Sequence, residues 1–228
     1  MKVLDNFEPR MNNAELRKAL CLSADSGEWE RVQALAERIL PLVKPKCVYK
    51  ACYIEQKNDA AVILEGVCFQ SRVLRKNLEA AEKAFPFVVT IGDALEEEAK
   101  AQKDYLEQYY MDIIANVVLQ GVIKDLRTHL QNQHKLKKLS YMSVGSLEDW
   151  PIQQQRQLFS LLGDVYHAIG VQLAPSMLMH PSKSESGMFF PSEVTFLNCQ
   201  LCPRKDCPSR KAAFDREMAR EYGVLDNN

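Results

Sequence analysis

Apolar positions recur at helical spacing in two long stretches of the chain. In the first stretch they are Trp29, Val32, Leu35, Ala36 and Ile39. This spacing predicts a helix that starts at Asp25 or Ser26 and ends near Leu42. In the second stretch a broad apolar stripe predicts a core helix over residues 109–133, preceded by a charged, solvent-facing helix over residues 94–108.

Other segments read as a first short helix and a set of strands. Asn12 or Asn13 is placed to cap a helix that ends near Leu22. The expected strands are residues 47–56, residues 61–64 after a hairpin turn at 58–59, and residues 85–92 with Asp93 capping the next helix. Residues 69–83 are predicted to be helical, and residues 212–222 to form a helical tail.

Two serine-glycine loops lie on either side of an amphipathic helix predicted over residues 152–169. The first reads Ser143-Val-Gly-Ser and the second reads Ser184-Glu-Ser-Gly, followed by an extended Met-Phe-Phe run. Trp150-Pro151 is expected to start the helix, with Asp149 helping to cap it. A helix between two such loops can bring them together at one rim, which suits a small polar ligand held largely by main-chain groups.

Strands and helices alternate without a regular βαβ period, so the expected fold class is α+β. We expect a mainly antiparallel sheet that carries long helices on one side. The predicted organisation is a helical N-terminal segment over residues 1–45, an α+β core over residues 46–197, and a cysteine-rich extension with a helix over residues 198–228.

Charge and hydropathy narrow the classes of protein that this chain can represent. Lysine and arginine total 29 against 30 acidic residues, so no net field attracts nucleic acid. No apolar run approaches the roughly 18 residues of a membrane span, and the N-terminus lacks the pattern of a signal peptide. The expectation is therefore a cytoplasmic protein that binds neither nucleic acid nor membranes.

The two-loop stretch resembles the activation, or reactivation, domain of cobalamin-dependent methionine synthase. The resemblance rests on Ser143-Val-Gly-Ser-Leu-Glu-Asp-Trp-Pro and on the run from Gly170-Val-Gln-Leu to Ser-Gly-Met-Phe-Phe190, and it spans about residues 48–190. It implies a single curved α+β domain that binds S-adenosylmethionine and caps a corrinoid. The implied partner is a cobalamin-carrying methionine synthase or another corrinoid protein, whose inactive corrinoid is reduced by an outside electron donor and remethylated.

The resemblance also implies positions that contact the cofactor. They are Gln120, Tyr141, Ser143, Gly145, Ser146, Ser186, Gly187 and Phe189. Several depart from the family pattern: Tyr141 and Ser146 stand where the family has the arginine and tyrosine of Arg-x-x-x-Gly-Tyr, and Gln120 and Phe189 stand for a glutamate and a tyrosine. Since neither tyrosine nor serine can form the bidentate pair that arginine makes with a carboxylate, we expect S-adenosylmethionine affinity to be weakened or lost.

Seven cysteines, an odd number, argue against a disulfide framework. The spacing Cys199-x-x-Cys202-x-x-x-x-Cys207 could place three thiolates on one tetrahedral metal. Zinc would only stabilise the fold of the C-terminal segment, whereas an iron–sulfur cluster would supply an electron to the corrinoid. Reduced thiols without a metal are the alternative, and His180 is a further candidate ligand.

No Gly-x-Gly-x-x-Gly, Walker loop or nucleophile elbow occurs in the sequence. The chain is therefore at most an accessory subunit of a corrinoid methyltransferase. Three hypotheses follow: a stand-alone relative of the activation domain that assists reductive remethylation, a non-catalytic binding module or chaperone for a corrinoid protein that has lost S-adenosylmethionine, and an iron–sulfur electron carrier to the cobalt.

Overall fold

The computed structural model describes residues 1–23, 26–207 and 210–225. The helices are α1 Asn13–Leu20, α2 Gly27–Ile39, α3 Arg72–Asn77, α4 Ala94–Ala101, α5 Tyr105–His134, α6 Gln155–Leu162, α7 Val165–Ile169 and α8 Arg216–Glu221. The strands are β1 Lys2–Leu4, β2 Lys46–Tyr49, β3 Cys52–Lys57, β4 Ala61–Leu64, β5 Val67–Gln70, β6 Lys83–Thr90, β7 Leu139–Ser143, β8 Gln172–Leu173, β9 Met179–His180 and β10 Ser184–Pro191. Short 3-10 turns cover Leu40–Leu42, Ile152–Gln154 and Asn198–Gln200.

In the described part of the chain, eight strands form one antiparallel sheet with β6 at its centre. One edge of β6 pairs with β10, which pairs in turn with β7. The other edge of β6 pairs with β2 at one end and with β3 at the other. Strand β1 pairs with β2, and β4 and β5 continue the sheet from β3. Strands β8 and β9 form a separate pair. The mainly antiparallel sheet confirms the predicted α+β class.

Alternate side chains of β6 face two separate hydrophobic clusters. Phe87 and Val89 belong to the cluster that α1, α2 and α5 cover. Ala84 and Val88 belong to the cluster covered by the shorter helices α3, α6 and α7, in which Trp150 is fully buried. The strand period of two therefore divides one sheet between two cores, with the long helices on one face. No helix in the described ranges is long and apolar enough to cross a membrane.

The two N-terminal helices confirm the apolar pattern. The side chain of Asn12 caps α1 by accepting from the main-chain N–H groups of Ala14 and Glu15. Helix α2 buries all five of its predicted apolar positions. Ser26 occupies its N-cap position, but its hydroxyl donates to the Ser23 carbonyl and makes no capping hydrogen bond, and Asp25 lies outside the described residues.

Several predicted helices differ from the structure in their bounds. Phe69 lies in β5 opposite Val62, so the predicted helix over residues 69–83 shrinks to α3. Its apolar spacing suits either element, and pairing with β4 decides between them. The boundary expected near residue 108 falls instead at Asp104, whose carboxylate accepts from the N–H groups of Leu106 and Glu107 and so starts the 30-residue α5.

The helix predicted over residues 152–169 is interrupted at Gly163 and continues as α7, where Asp164 caps the new start. Asp149 does not cap this helix. Its carboxylate accepts from the Ser71 hydroxyl and from the Val73 N–H at 2.9 Å, so it caps α3 across the second core. The tail confirms a helix within residues 212–222, shortened to α8.

The His129 and His134 imidazoles give a testable pH dependence. Burial lowers the pKa of both, and the nearby Lys2 charge lowers it further. Both side chains stay neutral in the folded protein at pH values where the unfolded chain, with a histidine pKa of about 6.5, already binds protons. The stability that these neutral histidines contribute is thus fully present above the unfolded-state pKa of about 6.5. It is lost as the pH falls through their lower, folded-state pKa.

We therefore expect the free energy of unfolding, measured by urea denaturation, to fall between about pH 7 and pH 5. The variant His134→Gln should show a smaller fall over this range. The matched control is His167→Gln, since His167 is exposed on α7. An equal pH response in the wild-type protein and His134→Gln would contradict the assignment.

Gly187 tests the close packing of β7 against β10. A Cβ atom added to it would lie 2.3 Å from the carbonyl oxygen of Met142, a main-chain atom that cannot move aside alone. Gly187→Ala should lower the free energy of unfolding by about 1–3 kcal/mol, as overpacking does. The control is Gly27→Ala, where an added Cβ meets nothing within 4 Å. Equal stability of the two variants, by chemical denaturation, would show that β7 and β10 are not packed as described.

Candidate binding cleft

The pairing of β7 with β10 brings the two serine-glycine loops side by side. Gly187 lies opposite Ser143 in the register, and the Val144 N–H donates to the Ser186 carbonyl at 3.2 Å. The loops border a cleft of about 290 Å³. This volume is near the lower limit, about 300 Å³, of typical small-molecule sites. The lining residues include Ser143, Ile152, Met177, His180, Glu185 and Ser186.

The two glycines have different roles in this arrangement. Gly145 makes a turn with φ +81°, and its N–H donates to the Trp150 carbonyl at 2.9 Å. The Ser146 hydroxyl closes the same turn by donating to the Ser143 carbonyl at 2.6 Å. Gly187 lies within β10, where the missing side chain makes room for the β7 backbone. The second serine-glycine segment, which was expected to be a loop, is therefore part of strand β10.

Tyr141 and Phe189 lie on the sheet face that packs against α5. Phe189 is fully buried, with ring centroids 5.1 Å from Tyr141 and 4.7 Å from Phe87. The Arg127 guanidinium lies 5.6 Å from the Tyr141 ring centroid. Burial raises the pKa of the Tyr141 hydroxyl well above its usual range, and the Glu185 charge raises it further. Phe189 packs in the core, so its position does not suit the direct ligand contact that the resemblance implied.

Glu185 joins several of the predicted positions, although the sequence reasoning did not select it. Its carboxylate accepts from the Ser143 hydroxyl at 2.6 Å and from the Gln120 side-chain amide at 2.8 Å. The Gln120 amide oxygen accepts from the Lys211 ammonium at 2.5 Å. Glu185 also lines the cleft. The available signal in the sequence was its position between Ser184 and Ser186 in the second loop. That signal was not sufficient, because the residues that share a face can be assigned only when the segment is known to be a strand.

Ser186 faces the opposite side of β10 and fixes the far wall of the cleft. Its hydroxyl donates to the Gln155 amide oxygen at 3.1 Å, and the Gln155 amide donates to the Met177 carbonyl at 3.0 Å. Both Ser186 and Gln155 are buried. This chain of hydrogen bonds ties α6 and the segment before β9 to the second loop, so the cleft walls hold each other in place.

The cysteine motif does not have the geometry that a metal requires. Within residues 1–23, 26–207 and 210–225, no three His, Cys, Asp or Glu side chains are grouped so that they could hold a metal ion. Cys199, Cys202 and Cys207 are all free and partly exposed. The loop is organised by Arg210, whose guanidinium donates to the main-chain carbonyls of Cys199, Cys202, Arg204 and Ala212. The described residues thus show no metal-binding group at the motif, and the zinc or iron–sulfur site stays a prediction.

The overall structure is similar to the crystal structure of the MetH reactivation domain bound to AdoHcy. The TM-score is 0.64 and the sequence identity is 14%, and the match covers 86% of this chain and 80% of that chain. No protein-family model matches the sequence, and no curated protein matches it. At this level of identity the likeness establishes a shared fold.

Proposed function

We propose that this chain binds an S-adenosylmethionine-type ligand in the cleft and assists the reductive remethylation of a corrinoid carried by a partner protein. The fold supports the proposal, because a domain of the same fold was crystallised with AdoHcy. The sequence resemblance to the methionine synthase activation domain supports it independently, since the two-loop stretch that carries the resemblance also borders the cleft.

The observation that carries the proposal is Glu185, which is one of the residues that line the cleft and whose carboxylate lies at its border. Both of its oxygens accept from neutral groups, Ser143 and Gln120, and no lysine or arginine of the described residues pairs with it directly. A half-buried carboxylate held in this way is a suitable partner for a ligand ammonium, because charge-assisted hydrogen bonds are the strong ones. The amino-acid end of S-adenosylmethionine carries such an ammonium.

The rest of the cleft suits the adenosyl part of the same ligand. The Ser143 and Ser184 hydroxyl groups donate to Glu185 and to the Pro181 carbonyl, and their oxygens retain lone pairs that can accept from a ribose hydroxyl. Ile152, Met177 and Met179 add apolar surface for a purine ring. A mixture of apolar surface and a few placed polar groups is typical of small-molecule sites.

The reaction needs no acid, base or nucleophile from this chain. The sulfonium–methyl bond breaks and a cobalt–carbon bond forms on the corrinoid, which an outside electron donor has reduced. The role left to these residues is to hold and orient the methyl donor, which agrees with an accessory protein. An iron–sulfur electron carrier is a weaker hypothesis, because the described cysteines do not form a metal-binding group.

The first loop gives a reason to retain a second candidate. Tyr141 is packed against Phe189 and Ser146 closes a turn, so this loop presents no arginine to a ligand carboxylate. A corrinoid-protein binding module that has lost the methyl donor is consistent with this departure. The two candidates differ in a single measurable property, the affinity for the adenosyl ligand.

Titration calorimetry with AdoHcy tests the proposal. We expect the wild-type protein to bind and Glu185→Gln to bind about 10-fold to 100-fold more weakly, because a hydrogen bond to a charged group contributes about 1.5–3 kcal/mol. Glu193→Gln is the matched control, since Glu193 is exposed just beyond β10. Absence of binding by folded wild-type protein at millimolar ligand would reject the methyl-donor role and leave the binding module.

A further inference from the structure

Residues 198–207 and 210–225 follow β10, and several of them contact the first loop, the second hydrophobic cluster and α5. The Asn198 side-chain amide donates to the Ser146 hydroxyl at 2.7 Å, which fastens the start of this segment to the first loop. Leu201 is fully buried in the second hydrophobic cluster. At the far end of the segment, the Lys211 ammonium donates to the Gln120 amide oxygen on α5 at 2.5 Å. The C-terminal segment therefore contacts the first loop at Ser146 and, through Lys211, the Gln120 side chain that bonds Glu185.

Arg210 fixes the path of the chain just before Lys211. Its guanidinium donates to the carbonyls of Cys199 and Cys202 at 3.1 Å each and to that of Ala212 at 3.0 Å. The Lys211 N–H in turn donates to the Cys199 sulfur at 3.4 Å. These hydrogen bonds hold the main chain on both sides of Lys211, and its side chain reaches Gln120.

Lys211 and Glu185 lie at opposite ends of one neutral amide. The Gln120 side chain donates to the Glu185 carboxylate at 2.8 Å and accepts from the Lys211 ammonium. Lys211 makes no ion pair with a carboxylate among the described residues, and its side chain is exposed. A cation and an anion therefore each lie within hydrogen-bond distance of the Gln120 amide. A free α-amino acid group, with its ammonium and carboxylate on one carbon, has the complementary pair of charges.

We infer that Lys211 binds the carboxylate of the ligand's amino-acid end while Glu185 binds its ammonium. This inference rests on the proposed function and names its ligand class, an adenosyl amino acid. It gives the C-terminal segment a direct role in recognition. Lys211 would also supply the cation that the first loop lacks. A lysine ammonium is a flexible point charge, whereas an arginine guanidinium binds a carboxylate through two parallel hydrogen bonds.

Two ligands that differ only in the carboxylate test this assignment. Titration calorimetry with S-adenosylmethionine and with decarboxylated S-adenosylmethionine should show that the wild-type protein prefers the first by about 10-fold to 100-fold. Lys211→Met should lose this preference by weakening only the carboxylate-bearing ligand, and Lys211→Arg should restore most of it. Lys205→Met is the control, because Lys205 is an exposed lysine of the same segment.

The outcomes separate this inference from the proposed function. If the wild-type protein binds S-adenosylmethionine and Lys211→Met keeps the same preference between the two ligands, Lys211 is not the carboxylate partner, although the proposed function stands. If the wild-type protein binds neither ligand, both proposals fail. Thermal unfolding of each variant checks that it is folded, and equal weakening of both ligands in Lys211→Met would indicate a structural role and overturn the inference.

Discussion

The structure depends on the pairing of β10 along both of its edges. Gly187 lies opposite Phe87 of β6 on one side and Ser143 of β7 on the other. A side chain at this position would collide with the β7 backbone. Because strand pairing fixes which residues share a face, the same register places Glu185 beside Ser143 and turns Ser186 toward Gln155. The cleft, its carboxylate and its far wall all follow from this one register.

Burial then divides the predicted positions into two groups. Phe189 and Tyr141 add their rings to the core under α5, where Arg127 lies over them. Ser143 and Gln120 stay at the edge of that core and surround a carboxylate. Polar groups at such a boundary are half-shielded from water, so their hydrogen bonds are stronger than at an open surface and still reachable by a ligand. Ligand recognition is therefore expected at this edge and not in the aromatic core.

The C-terminal segment shows how an arginine can organise a cysteine-rich loop. A metal site requires its sulfur ligands to converge on one point at about 2.3 Å. Arg210 imposes a different convergence, in which main-chain carbonyls point inward to one guanidinium and the thiols of Cys199 and Cys202 are left free. The spacing of the cysteines is compatible with either arrangement. The arrangement around Arg210 also places the Lys211 ammonium against Gln120 of α5.

The sequence by itself determined the α+β class, the cap of α1 and the buried face of α2, because periodicity and local turn chemistry act over a few residues. Only the tertiary structure decided that Phe69 lies in a strand, that Asp149 caps a helix 76 residues away in sequence, and that Glu185 and Lys211 meet at Gln120. Those contacts join residues that are far apart in the chain. Local spacing and residue type do not show which distant residues will meet, because strand pairing and packing decide that.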